Sequence, residues 1–427
     1  MAEGTPSGAN SEMMSVEDFR AEARAWIREN LDRREPTPAG EATTEAMTKE
    51  DIDKARVLQR KLFDGGFAGI SYPVEYGGRG LTALHERVFR EETVGYEAPD
   101  FGVVGGVTFG AIGRSLIEHC SPEFLQRHIP KILSGEEMWC QFYSEPEAGS
   151  DLAGIRTRAV RDGERWIITG SKIWSSGAYL ADWAMCLART DWSAPKHRGL
   201  TWFAVPCAAE GVTINRIRQI NGDAEFCEEF LDEVEVTDDD LIGEVNKGWA
   251  VTQTMLVYER GAGDGSTKTL EPRELAPDLV ALAERVGRLD DPAARQAIAT
   301  AHINDFAQYH LGKRISDRLR NSAVPDPHVA AYGKLAAGVL APMRARLAME
   351  VGGPAAVSWT PGDEKEGRPA LDYLNGRRIS IAAGTNEMQR NGIGERVLGL
   401  PREPSFDTNK PFSEVLKTAR NWDSRRA

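Results

Sequence analysis

Several things are scarce in this chain of 427 residues. No apolar run approaches the length of a bilayer span, which argues against membrane insertion. Basic residues are in deficit: 52 Lys and Arg against 65 Asp and Glu leave a net charge of −13. That excludes the broad basic face a nucleic-acid binder needs, so an anionic ligand would have to find a local basic patch. Cysteine is sparse and unpaired in pattern. Cys120, Cys140, Cys186, Cys207 and Cys227 are odd in number and scattered, with no C-x-x-C and no clustered histidine. Neither a disulfide framework nor a metal site is expected. The stretch from Met1 to Ser11 lacks a basic start and an apolar core, so it reads as a frayed tail and the expected location is cytoplasmic.

What is present is ordinary soluble material, 41% hydrophobic and 27% charged, in a chain long enough for two or three sub-cores. Residues 15–135 carry a helical period. Ser15-x-x-Asp18 has the form of a capping box, Phe19, Ala23, Trp26 and Ile27 recur on one face, and Ser121-Pro122 restarts a helix. A Gly/Pro-rich break from Tyr72 to Gly80 is expected near a ligand or partner. Residues 136–242 change to short alternating runs, a compact β domain. Within it, Ala159–Arg161 and Trp166–Thr169 flank Asp162-Gly163, the pair suited to a type I′ hairpin turn. Further strands are expected at Trp183–Arg189, Leu200–Val205 and Phe230–Val236. The helical period returns over 243–400, with helices expected at Trp249–Arg260, Ala276–Val286, Pro292–Arg318, Val329–Val351 and Asn386–Arg396. Thr360–Pro369 reads as a polar insertion, and residues 401–427 as a tail that drapes over a neighbour or frays.

Chemistry concentrates in three segments. The first is Gln141-Phe142-Tyr143-Ser144-Glu145-Pro146-Glu147-Ala148-Gly149-Ser150-Asp151, where a strand end offers backbone groups, Ser144 a hydroxyl, and Gly149-Ser150 a close approach for phosphate. The second is Lys172-Ile173-Trp174-Ser175-Ser176, in which a planar indole suits a planar ring system. The third is Ala382-Ala383-Gly384-Thr385-Asn386-Glu387 together with Glu395-Arg396-Val397-Leu398-Gly399-Leu400-Pro401. From about Ser15 to Glu403 the chain resembles the acyl-CoA dehydrogenases. The resemblance implies an α+β fold: an N-terminal helical domain, a middle β-barrel-like domain and a C-terminal four-helix bundle. It also implies FAD, held by Gln141, Tyr143, Ser144, Gly149, Ser150, Trp174, Ser175, Ser176, Thr385 and Glu387. The substrate would be an acyl-CoA, met by Ser150, Tyr258, Arg260, Ala383 and Gly384.

In that family a carboxylate removes the α-proton of the thioester while a hydride leaves the β-carbon for the flavin, and a backbone N–H steadies the thioester oxygen. Many members carry the base where this chain has Ala383. Alanine keeps the N–H and loses the base. Glu259, in Leu256-Val257-Tyr258-Glu259-Arg260, falls where isovaleryl- and long-chain acyl-CoA dehydrogenases present theirs, so it is the candidate. The glycines at 261, 263 and 265 would widen the acyl pocket or end the helix.

Two family motifs are replaced. Arg-x-x-Phe-Gly becomes Arg285-Val286-Gly287-Arg288-Leu289, and Gln-x-x-Gly-Gly becomes Met349-Glu350-Val351-Gly352-Gly353. Both usually act across a subunit interface. The pattern is similar to the heteromeric dehydrogenases of actinobacterial steroid side-chain degradation, and it implies a homo- or hetero-oligomer with an electron-transferring flavoprotein as acceptor. A non-catalytic or half-site subunit and a flavin oxidase or monooxygenase are the alternatives.

Overall fold

The computed structural model describes residues 13–34, 47–259, 272, 274–321, 329–358, 360, 364–402, 404–405 and 407–423. Helix α1 (Val16–Asn30) begins where Ser15 accepts the Asp18 N–H at 3.1 Å, and its Phe19, Ala23 and Ile27 stripe is buried. Helix α2 (Lys49–Asp64) starts with a reciprocal Thr48/Asp51 capping box. The Gly/Pro break forms one 3₁₀ turn at Val74–Tyr76, closed by Gly77 at φ 89°, before α3 (Ala83–Glu92). Helices α4 (Gly102–Gly105) and α5 (Gly113–His119) are joined by a π-helical stretch, Gly106–Ile112. Helix α6 (Pro122–Ser134) has Ser121 as N-cap and Pro122 in its first turn, where a missing N–H leaves no bond unmade. Phe19, Phe67, Phe89, Ile112 and Ile129 form the centre of this core, which continues onto Trp139 and Trp202 of the β region.

The strands are β1 (Trp139–Phe142), β2 (Arg158–Asp162), β3 (Arg165–Ser176), β4 (Trp183–Arg189), β5 (Leu200–Pro206), β6 (Val212–Arg216), β7 (Phe226–Thr237) and β8 (Leu241–Ile242). They build one mixed sheet in the order β6-β7-β3-β2-β4-β5-β8, with β1 pairing β4 in parallel. The sheet curls. Trp166 of β3 and Phe203 of β5, which are not adjacent in that order, have ring centroids 5.4 Å apart in a shared interior. Strands β1, β6 and β8 are additional to the alternating runs, being too short for a periodicity signal. The hairpin turn also differs from expectation. Asp162 pairs with Arg165, so the loop is Gly163-Glu164, with positive φ only at Gly163 (62°). That is the type II′ pattern rather than type I′.

Helix α7 (Gly248–Glu259) lies on both preceding regions. Trp202 Nε1 donates to the Gly248 carbonyl at 3.0 Å, Tyr143 Oη to that of Thr252 at 3.4 Å, and His119 Nε2 meets Thr254 Oγ1 at 2.8 Å. Then follow α8 (Pro277–Arg285), α9 (Pro292–Asn321), α10 (Ala330–Gly352), α11 (Glu364–Asn375) and α12 (Asn386–Gly392), the last running into a π-helical end at Ile393–Val397. Leu279, Leu282, Ile298, Leu347 and Val351 fill the core between α8, α9 and α10. Part of the expected polar insertion is therefore the first half of α11, whose sequence period was hidden by Gly367 and Pro369.

Part of the expected tail is helical and packs on this chain. Helix α13 (Phe412–Asp423) docks on the β4–β5 connection: Phe412 N–H donates to Ala194 at 3.0 Å, Ser413 N–H to Trp192 at 3.0 Å, and Phe412 is 2% exposed under the Arg189 guanidinium. Burying that ring contributes about 2 kcal/mol. Among the described residues no helix is long and apolar enough to cross a membrane, and no group of three or more His, Cys, Asp or Glu side chains could hold a metal ion.

Candidate active site

Strand β1 ends at Phe142, and the chain then crosses the end of β3, where Ile173 N–H donates to the Ser144 carbonyl at 2.9 Å. This bond brings the first two motifs together. Opposite β7 the register slips between Ile173/Glu228 and Ser175/Cys227, so Trp174 is a bulged residue. Its φ is 68° and its side chain is 55% exposed, edge-on to Phe226 at 6.0 Å between centroids. A large indole held outward on a strained backbone is a wall prepared for a flat partner.

Beneath the wall lies a buried polar cluster. Lys172 Nζ, fully enclosed, donates to Glu145 Oε1 at 3.0 Å and to the Tyr143 carbonyl at 3.1 Å. Glu145 also accepts the backbone N–H groups of Arg156 and Thr157 at 2.6 and 2.8 Å. Burial opposes its charge, but Lys172 and these bonds outweigh burial and hold its carboxyl below the ordinary value. Glu229 of β7 is different. It accepts a hydrogen bond from Ser175 Oγ at 2.9 Å, its other oxygen has no partner among the described residues, and burial pushes its carboxyl up to about 7.

The bulge turns the Ser175 hydroxyl inward onto Glu229, on the face opposite the exposed Trp174. Tyr143 is packed edge-on against Trp202 at 5.0 Å and ties β1 to α7. Gln141 Nε2 is buried and makes no hydrogen bond among the described residues, whereas Gly149 and Ser150 are exposed, with open space where a Gly149 Cβ would stand. An outward indole, a donor in need of an acceptor, a half-buried Ser176 and an open glycine loop form a set that fits a flavin dinucleotide.

The third motif forms a tight turn. Ala383 (φ 52°) and Gly384 (φ 87°) are both left-handed, and the buried Gln389 amide donates to both of their carbonyls at 3.2 Å. Thr385 caps α12 by accepting the Met388 N–H at 3.2 Å. Glu387 lies exposed in that first turn, paired with Arg390 at 3.3 Å, its carboxyl held below its usual range by backbone and Thr385 hydrogen bonds. The turn is tied to the indole wall. Arg378, five residues before Ala383, pairs with Glu225 and sits 5.8 Å from the Phe226 ring.

Glu259 is the exposed last residue of α7. Tyr258, beside it, donates to Glu118 of α5 and is pushed up to about 12, chiefly by burial. That bond turns Tyr258 toward the N-terminal helices. Arg260 and the glycines at 261, 263 and 265 lie outside the described residues. Glu145, Lys172, Glu229 and Gln389 are the supporting residues that motif reading passes over. Glu145 and Lys172 were visible as charges inside the motifs; Glu229 was signalled only by its alternation with Cys227 and Leu231.

The comparisons agree with this architecture along the chain. The acyl-CoA dehydrogenase N-terminal domain matches residues 15–136, the middle domain 140–234 and the C-terminal domain 246–398. Acyl-CoA dehydrogenase IpdE1 of Mycobacterium tuberculosis is 36% identical over 399 residues, covering 92% of this chain and 99% of that protein. Among solved structures, the Tcur3481-Tcur3483 steroid ACAD superposes with a TM-score of 0.72 at 29% identity, covering 91% of this chain and 98% of its own. The ChsE4-ChsE5 complex from Mycobacterium tuberculosis gives 0.67 at 26% identity, covering 93% and 100%. The chain belongs to the acyl-CoA dehydrogenase family. It is an acyl-CoA dehydrogenase, with FAD as its cofactor.

Proposed function

We propose that the chain oxidises the α,β-bond of a bulky acyl-CoA, with Glu259 as the base and Ala383 as a backbone donor only. The observation that carries this reading is the Ala382–Gly384 turn: it has the family's motif and a methyl group that cannot accept a proton. FAD, when bound, accepts the two electrons that leave the β-carbon as hydride. The protein's own residues do the rest. Glu259 takes the α-proton, the Ala383 N–H steadies the thioester oxygen, and Trp174 with Ser176 and Gln141 fixes the ring system. Ser144, Gly149, Ser150 and Thr385 meet the remainder of the cofactor, and Tyr258 with Arg260 borders the substrate.

A steroid side-chain acyl group is favoured because a similar solved structure is described as a steroid ACAD. A heteromeric assembly is favoured because the ChsE4-ChsE5 structure is a complex of unlike chains. It is also favoured by Arg288, in the segment that replaces Arg-x-x-Phe-Gly. Arg288 donates to this chain's own Glu350 and Val351 carbonyls at 2.6 and 3.1 Å. An electron-transferring flavoprotein is the proposed acceptor.

The test mixes flavin-loaded protein anaerobically with a panel of CoA thioesters and follows the loss of flavin absorbance, for wild type and Glu259→Gln. Bleaching by bulky thioesters that Glu259→Gln abolishes is expected. Equal bleaching by the variant removes Glu259 as base, no bleaching by any thioester favours a non-catalytic subunit, and rapid peroxide formation in air favours an oxidase.

A further inference from the structure

We propose that Glu229 and Ser175 are a positioning pair that sets the orientation of the flavin-facing Trp174. The inference rests on the reading that Trp174 lies against FAD, and it extends inward from that wall.

A tryptophan at φ 68° persists only where its surroundings over-determine it. Three bonds bracket the bulge. Ile173 N–H donates to Ser144 at 2.9 Å on one side, and Gly177 N–H donates to Glu225 at 2.8 Å on the other. Between them, among the described residues, the side-chain anchor of the bulge is Ser175 Oγ, which donates to Glu229 Oε2 at 2.9 Å. The register explains how it reaches. Lys172 stands opposite Glu229 and Ser175 opposite Cys227, so the inserted Trp174 brings Lys172 and Ser175 to the same inward face although they are three residues apart. An unbulged strand would send Ser175 to the opposite face from Lys172 and out of reach of the carboxyl.

Glu229 has little else to do. Lys172 is committed to Glu145 and the Tyr143 carbonyl, and among the described residues Glu229 has no second hydrogen bond: its Oε1 is buried without a partner. The other ionisable groups around it are Glu228 on its own strand and the buried thiols of Cys140 on β1, Cys186 on β4 and Cys227 on β7. A buried carboxyl with one hydrogen bond is a poor stabilising element, since an apolar residue of similar volume would cost less to bury. Its single bond goes to the residue that adjoins the strained tryptophan. Fully buried, with no exposed edge, it is assigned to geometry rather than to stability or to proton transfer.

The experiment uses the full-length protein stripped of FAD and titrated with it. The readouts are the dissociation constant and the absorption and fluorescence of the bound flavin. Ser175→Ala and Glu229→Leu are expected to weaken FAD binding by about tenfold, in keeping with the loss of a hydrogen bond to a charged or strongly polar group. They should also shift the flavin absorption band and relieve the quenching that a stacked indole imposes. Glu229→Gln should retain wild-type affinity and spectrum, because its amide oxygen accepts the same hydroxyl. Should Glu229→Leu fail to fold, Ser175→Ala decides alone, since it removes one oxygen and leaves packing intact. Ser175→Ala or Glu229→Leu with wild-type affinity and spectrum overturns the positioning role, whatever happens to the melting temperature. So does Glu229→Gln behaving like Glu229→Leu. A wild-type protein that takes up no FAD overturns the flavin reading itself, and is told apart from these outcomes because it precedes any comparison of variants.

Discussion

Trp174 and Ala383 are both left-handed residues without the freedom of glycine, at φ 68° and 52°, and they are held by opposite means. The Trp174 bulge is fixed from inside the sheet by Ser175 and a carboxyl, with Lys172 and Glu145 beside it. The Ala383 turn is fixed from the helix that follows, by the neutral Gln389 amide on two carbonyls and the Thr385 cap. One anchor titrates and the other does not. On the proposed function the difference separates two tasks: a side chain is aimed at the first site, whereas a backbone N–H alone serves at the second.

The sharpest break in that division is Glu259→Gln. If Ala383 has kept only the backbone role, the base lies elsewhere, and removing it should lower the rate of flavin reduction by about 10³-fold. FAD affinity should stay unchanged. Stopped-flow reduction beside a cofactor titration checks both. On the Trp174 side, Lys172→Met strips the buried cluster of its ammonium and leaves Glu145 as an uncompensated buried charge. A loss of ~3–5 kcal/mol in urea unfolding is expected, with no comparable loss for Gln389→Ala at the other turn.

The pH dependence should divide the two anchors next. Glu229 is held near 7 against an ordinary 4.5, so between these values the folded chain keeps a proton that the unfolded chain has released. Stability from this group is present in full below about pH 4.5 and falls as pH rises through about 7, by roughly 3 kcal/mol in all. His119 and His197, held below 6.5 by burial, act in the opposite sense. The wild type minus Glu229→Gln difference isolates the carboxyl: it should decline across that window and be flat for Gln389→Ala against wild type. A difference that is constant from pH 4.5 to 8 would contradict the buried titration.

Much of this architecture could be read from residue order. Ser15, Ser121 and Pro122 mark helix starts where the structure has them, and the expected Trp183–Arg189 strand is β4 without change. These are local signals, decided by a cap or an uninterrupted alternation. What escaped was decided by register. The Ser175 side chain turns inward because of a bulge, and a second bulge near Glu233 (φ 53°) shifts the inward parity of β7 from Cys227, Glu229 and Leu231 to Val234 and Val236. Reading β7 back from its valines would have placed Phe230 inside, yet it is 47% exposed. Bulges depend on pairing between distant strands and leave no period in either one. The docking of α13 escaped for the same reason: Phe412 is one aromatic residue in a polar tail, and its Arg189 partner lies on β4, far away in sequence.

The smallest effect should come from Ala383→Gly. Removing the Cβ of a residue held in the left-handed region relieves about 1 kcal/mol, while the added chain freedom of glycine in the unfolded state takes back roughly 0.5–1 kcal/mol. The net change in stability should therefore lie within about 1 kcal/mol of zero. The N–H is retained, so flavin reduction by a good thioester should hold within a factor of about three, far inside the Glu259→Gln loss. A fall in rate beyond tenfold would mean that the Ala383 methyl group itself shapes the substrate site, and the division between a backbone task here and a side-chain task at Trp174 would fail. Stability within that range with an unchanged rate would show that this turn asks of its residue only a left-handed conformation and a free N–H.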